Sequence, residues 1–247
     1  MTVTETAAAS HDGALTVRLA GALATLRASG ALWLAREGML VVADLHLEKG
    51  SAYAARGQML PPYDSRETLN RLEQEVAALA PRSVVLLGDT LHDGAAESRL
   101  AASERDRLRA LAARLQLIWV CGNHDPDGAR DLGGETAAVV EAAGLTLRHD
   151  PSPGTVRGEV AGHLHPCARI HGPAGGVRRR CFASDGQRLI LPAFGAYAGG
   201  LNLLDDAFTP LFESPPIGFA LGPRVIPLAY DRLRHDRALP RSKRADG

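Results

Sequence analysis

The chain has no surplus of charge of either sign: 28 Lys and Arg stand against 28 Asp and Glu, for a formal net charge of zero. That balance excludes an overall field that would draw in nucleic acid or an anionic membrane, so any such affinity must come from a local patch. Cysteine is scarce. Cys121, Cys167 and Cys181 are odd in number and scattered without metal-type pairing, which argues against a disulfide framework and for a reducing compartment. No apolar run approaches the roughly 18 residues of a membrane span. Residues 1–10 lack the basic stretch and apolar run of a secretory signal. A cytoplasmic location is expected. What the chain does have is 247 residues with a hydrophobic fraction of 45%, enough for a large α/β domain with a sizeable core.

Its organisation is a repeated unit of apolar run, polar cluster and helical stretch. Short strands separated by small-residue turns are expected over 15–38, then a buried strand at 39–43 that runs into Asp44-Leu45-His46. Leu69, Leu72, Val76 and Leu79 fall at spacings of three and four, which predicts an amphipathic helix over 65–80 capped by Asp64 or Ser65. A strand at 84–87 leads to Gly88-Asp89, a second helix spans 97–115, and a strand at 117–121 leads to Gly122-Asn123-His124-Asp125. A short helix is expected at 135–143, a strand at 145–148 before His149, and another at 159–161 before Gly162-His163-Leu164-His165. Later antiparallel strands are expected at 188–192, 199–204 and 224–228. Residues 1–10 and 231–247 read as disordered, leaving one domain over 11–230. The tail is basic, with Arg232, Arg234, Arg237, Arg241, Lys243 and Arg244 against Asp236 and Asp246.

Alternating strands and helices imply parallel pairing, with the site at the carboxyl ends of the strands. Five successive strands here each end in metal-type residues. Two cations a few ångströms apart repel, and a shared carboxylate offsets part of that repulsion. Asp89, alone after a glycine, is the natural bridge. Counting donors gives Asp44, His46, Asp89 and His165 for one ion, and Asp89, Asn123, His149 and His163 for the other. His124 sits beside a ligand, fits a general acid, and is followed by Asp125, which could orient its ring. His92, three residues after Asp89, is a candidate for the substrate phosphate, with an ordinary loop histidine as the alternative. Arg178, Arg179 and Arg180 form the compact basic run of the domain, read either as a solvated turn or as a contact to a phosphate backbone.

The blocks DLH, GD, GNHD, HD and GHLH, in that order, resemble those of the calcineurin-like metallophosphoesterase superfamily. The resemblance implies two packed mixed β-sheets flanked by helices, a four-layer sandwich, and the same division of ligands between two ions. The stretches ADLHLEKG, LLGDTLHD and LILPAFGAYAGG further resemble the ligase-associated DNA-damage-response endonucleases of PdeM type. That finer resemblance implies a manganese-dependent DNA endonuclease working in repair beside a ligase, a helicase and an exonuclease. Asp, Asn and His donors also suit Fe or Zn. The rival readings are a phosphatase or diesterase for a small nucleotide and a metal-free protein-binding scaffold. The intact ligand set argues against the scaffold.

Overall fold

The computed structural model describes residues 8–9, 12–58, 60–61, 63–172 and 175–236. The first sheet contains β1 (Ala8–Ala9), β2 (Leu15–Leu19), β3 (Ala22–Leu26), β4 (Leu32–Leu34), β5 (Met39–Val42), β6 (Ser83–Leu87), β7 (Gln116–Val120) and β8 (Glu135–Ala137), in that spatial order. Neighbours from β1 to β5 are antiparallel, and from β5 to β8 they are parallel. The parallel half is linked by α1 (Lys49–Ala54), α2 (Asp64–Leu79), α3 (Ala96–Arg99) and α4 (Ala102–Arg114).

The second sheet is built from β9 (Val140–Ala142), β10 (Leu145–Arg148), β11 (Glu159–Ala161), β12 (Cys167–Gly172), β13 (Gly175–Ser184), β14 (Arg188–Ile190), β15 (Ile217–Ala220) and β16 (Ile226–Leu228). Its order is β16-β15-β13-β14-β11-β10-β9, with β12 paired to β13, and β10, β11 and β14 run parallel.

The pleat explains why the central strands read as unbroken apolar runs. Val41, Val85, Leu87, Ile118 and Val120 face the second sheet, where they meet Leu147, Val160, Phe182 and Leu189. Their sequence neighbours Leu40, Val42, Val84, Leu86, Leu117 and Trp119 face the other way, onto Leu69, Leu72, Leu108 and Leu111 of α2 and α4. Strands buried on both faces need apolar side chains at every position. Each such Val or Leu contributes about 1.5–3 kcal/mol by leaving water.

The two-sheet α/β sandwich is the expected fold, but among the described residues its α-helices pack on the first sheet. Leu203, Phe208, Leu211 and Phe212, from a segment whose one regular turn is a 3-10 helix at Thr209–Leu211, cover the outer face of the second. No helix among the described residues is long and apolar enough to cross a membrane.

Several local expectations are corrected. Residues 135–143 form no helix. Glu135–Ala137 extends the parallel ladder beside β7, and Val140–Ala142 pairs with β10 across a tight turn in which Ala143 and Gly144 both have positive φ. Positive φ at both centre positions suits the twist of a hairpin, so sheet pairing overrides local helical periodicity. The helix expected over 97–115 breaks at Leu100 (φ −52°, ψ 132°), whose side chain drops into the core while Arg99 is tied to Asp93 and Ser51. Neither Asp64 nor Ser65 caps α2. Asp64 accepts from Gly50 N–H, and Ser65 Oγ accepts from Glu48 N–H while donating to the Glu48 carboxylate. Residues 199–204 contribute only an isolated pairing of Asn202 with Cys167. On β7 Trp119 is buried in the core, and Cys121, just past its end, is half-buried.

The terminal segments are partly structured. Ala8–Ala9 pairs with β2, and Leu233 is buried in the core beneath the second sheet, with Arg234 N–H bonded to Arg169 O. The ends expected to be disordered, 1–10 and 231–247, are thus ordered at residues 8–9 and 231–236, while 1–7, 10 and 237–247, with Arg237, Arg241, Lys243 and Arg244, lie outside the described residues.

Candidate metal centre

Both sheets deliver their parallel strands to one place. β5 ends at Asp44 and His46, β6 at Asp89, β7 at Asn123, β10 at His149, and β11 at His163 and His165. The sheets are stitched together at that edge. Ala43 pairs with Ala193, Phe194 N–H donates to Ala43 O, and Gly195 N–H donates to Asp44 O. The Asp44 carboxylate, fully buried, accepts from His163 N–H at 3.0 and 3.2 Å.

The backbone at the site is strained. Among the described residues nine non-glycines have positive φ, and five of them are Asp44 (55°), His46 (45°), Asp89 (45°), His163 (67°) and His165 (47°). Left-handed backbone costs an L-residue about 1–2 kcal/mol. It persists where the surroundings over-determine it, which is typical of functional sites. Here Asp44 N–H is bonded to Gly88 O and His46 N–H to Asp89 O. The glycine that opens GNHD is a matter of space. A Cβ on Gly122 would lie 2.2 Å from Asp89 N and 2.3 Å from Asp89 Oδ1.

Two groups of donors converge to within 4.8 Å: Asp44, His46 and His165, and Asp89, His149 and His163. In the first, His46 Nε2 and His165 Nε2 are 3.3 Å apart, and His165 Nε2 lies 3.2 Å from Asp44 Oδ1. In the second, His149 Nε2 lies 2.9 Å from Asn123 Oδ1, 3.2 Å from His163 Nδ1 and 3.4 Å from Asp89 Oδ1. His149 Nδ1 donates to Leu87 O, which fixes the tautomer and turns the Nε2 lone pair toward those donors. Lone pairs crowded this closely call for a cation between them. Two carboxylates, an amide oxygen and four imidazoles therefore fit a pair of divalent ions, and behind them Asp44 Oδ1 lies 3.6 Å from His149 Nδ1, the nitrogen that donates to Leu87 O.

The electrostatics agree. Burial opposes charge on His149, yet its hydrogen bond to Asp89 and the charges of Asp44 and Asp89 raise it to about 9. A proton there does part of a metal's work. Burial, with the nearby His165 charge, lowers His46 to about 3, so it is neutral and ready to ligate. Burial would raise Asp89, but its hydrogen bonds from His149 and His124 N–H hold it ionised, at about 2.

His124 is present at the site, but Asp125 does not orient its ring. His124 Nδ1 donates to His92 O at 2.7 Å, leaving Nε2 3.9 Å from Asp89 Oδ2. The buried Asp125 carboxylate instead accepts from Thr90 and Leu91 N–H at 2.8 and 3.0 Å, pinning the loop that carries His92. Burial pushes that carboxyl up to about 6 against those two donors. The His92 ring stacks on His124 at 5.4 Å, and His46, His92 and His124 form a third close group. Lys49 went unnoticed in the sequence, although its charge reaches both His46 and His92. Its place beside the DLH block in ADLHLEKG was the available signal.

Arg178, Arg179 and Arg180 lie on strand β13 and not in a turn. Arg178 pairs with Asp236 and donates to Gly200 O, Arg180 donates to Ala193 O and Gly195 O, and Arg179 is exposed. Cys167 is buried with its thiol pKa raised by that burial, in keeping with an inert cysteine.

The sandwich and its donor set define a metal-dependent phosphoesterase, and the chain belongs to the calcineurin-like phosphoesterase family, whose sequence profile matches residues 39–213. The chain is similar to Pseudomonas putida nuclease MPE, at 26% identity and a TM-score of 0.67, covering 87% of this chain and 100% of that one. Weaker likenesses are to the protein of unknown function AQ665 from Aquifex aeolicus (16% identity, TM-score 0.36, covering 51% and 78%) and to the phosphoesterase Yfce from E. coli (18%, 0.36, 66% and 82%). No curated protein matches the sequence.

Proposed function

We propose that the chain is a Mn²⁺-dependent phosphodiesterase that cuts DNA, acting in repair. The observation that carries this reading is the match to a nuclease along that protein's whole length, with the donor set complete. Asp44, His46, Asp89 and His165 would hold one ion, and Asp89, Asn123, His149 and His163 the other, so that Asp89 would serve both. When bound, the ions supply a water-derived nucleophile at neutral pH and take up charge on the phosphate.

The chain's own residues do the rest. His124 is held by its Nδ1–H on His92 O, so Nε2 faces the site and hands its proton to the departing oxygen. Asp125 keeps the 90–92 loop in place and acts on His124 through it. His92, against the His124 ring, contacts the substrate phosphate.

Full-length protein with Mn²⁺ is assayed side by side on single-stranded oligonucleotide, plasmid, cyclic nucleotide and nitrophenyl esters. DNA cleavage with two bound ions per chain is expected. Activity on nucleotides or nitrophenyl esters with none on DNA would replace this reading with a small-nucleotide esterase, and absence of bound metal would leave a scaffold.

A further inference from the structure

Helix α1 and the turn that closes it flank the His46–His92 side of the metal centre. Lys49, Tyr53 and Arg56 follow one another at spacings of four and three, so they share one face of that helical run. Lys49 N–H donates to His46 O and ties the start of the run to the centre, and Arg56 N–H donates to Tyr53 O at its end. Gly50 and Ala52 are buried, whereas Lys49 and Tyr53 are half-buried and Arg56 is exposed. All three reach His92. The Tyr53 ring lies 6.2 Å from the His92 ring, which itself stacks on His124. Burial lowers the His92 pKa most, and the charges of Lys49, His124 and Arg56 lower it further, against the pull of Asp93.

The stripe is unpaired. Among the described residues Lys49 Nζ, Tyr53 Oη and the Arg56 guanidinium make no hydrogen bond or ion pair. Nearby acids are already engaged, Asp93 by Arg99 and Glu48 by Ser65 Oγ. A single surface cation needs only water. Here two cations flank an aromatic ring beside a centre built for divalent ions, in a chain whose net charge is zero. Positive charges gathered in one place repel one another unless an anion lies among them.

We propose that this face of α1 is the track for a single strand leading away from the cut bond. Lys49 and Arg56 each neutralise a phosphate, and Tyr53 stacks a base between them. Cations that follow the backbone, interleaved with an aromatic ring that any base can cover, are what binding of a single strand without sequence preference requires. The contact of Tyr53 with His92, and of His92 with His124, joins the track to the metal centre. The inference rests on the DNA reading above and adds the binding surface that it needs.

Binding of a fluorescein-labelled single-stranded oligonucleotide to full-length protein is measured by anisotropy in EDTA, where nothing is cut, across a salt series. With no metal present, a change in the variants cannot come from a lost ion. Lys49→Ala and Arg56→Ala are each expected to shrink the slope of log K against log salt by about 0.7, the share of one phosphate on a single strand. Lys49→Arg should keep the wild-type slope. Tyr53→Ala should weaken binding on the order of tenfold at an unchanged slope, and Tyr53→Phe should not. An abasic oligonucleotide should bind wild type and Tyr53→Ala alike, whereas a ring that only propped His92 would weaken both strands. Arg56 is exposed, so its variant serves if Lys49→Ala unfolds. Wild-type slopes in the folded Lys and Arg variants, or equal weakening of both strands by Tyr53→Ala, would overturn the track. Shrunken slopes without any DNA cleavage by the Mn²⁺-loaded wild type would sink the nuclease reading and keep the track. DNA cleavage with wild-type slopes in the variants would do the reverse.

Discussion

Binding of a divalent ion should expel a proton from His149, and pH should show it. In the metal-free chain His149 Nε2 is surrounded by Asn123 Oδ1, His163 Nδ1 and Asp89 Oδ1, and its pKa is raised to about 9. At pH 7 that is two units above the medium, so about 99% of molecules carry the proton. A metal ligand must be neutral. Apparent affinity of the site holding His149 should therefore rise about tenfold per pH unit from 7 to 9 and then level off. The same shift acts on stability. The folded value lies above the ordinary 6.5, so the stabilisation is complete below that pH and is lost as pH rises through about 9. It amounts to about 3 kcal/mol for a shift of this size. Calorimetric titration with Mn²⁺ in buffers of different ionisation enthalpy counts the protons released. Close to one from this group is expected at pH 7 and none above pH 10. A flat affinity between pH 7 and 9, with no proton release, would refute the reasoning.

Asp89→Ala should lose both ions and all activity, since one carboxylate serves both, and two equivalents of Mn²⁺ retained in elemental analysis would contradict the shared bridge. His124→Gln should keep its metals and lose turnover on the order of 10²–10⁴, with a smaller loss for nitrophenyl esters, which need little protonation of the leaving group. An equal loss for good and poor leaving groups would exclude the acid role. Asp125→Ala removes two hydrogen bonds to a buried carboxylate and should cost about 3 kcal/mol, read as a fall in Tm of roughly 5–10 °C. It should also lower kcat while bound metal is retained, and a fall in Tm with kcat unchanged would separate the loop from His124. Deleting residues 237–247, which spares the buried Leu233, should weaken oligonucleotide binding at low salt and flatten its salt dependence. Identical salt slopes would free the tail of that role.

The donor residues were legible in the sequence because each follows an apolar strand, and strand, turn and ligand are neighbours along the chain. Buried strands such as Val84–Leu87 announce themselves by continuous hydrophobicity, and α2 by its spacing of three and four. Segments whose state depends on a distant partner were not legible. Residues 135–142 have helical spacing, yet β7 and β10 offer them ladder hydrogen bonds, and those won. The acidic neighbour in GNHD looked like a partner for the His124 ring, but folding brought His92 O to that ring and Thr90 and Leu91 N–H to Asp125. Arg71 donates to Phe194 O and stacks on its ring, a contact between residues more than 100 positions apart that no periodicity reports. Left-handed backbone at five donor residues was equally invisible, because side-chain identity alone does not disfavour an Asp or His there strongly enough to be noticed. Local chemistry is written in neighbouring residues, whereas electrostatics and strain arise between groups that only the packed sheets bring within a few ångströms.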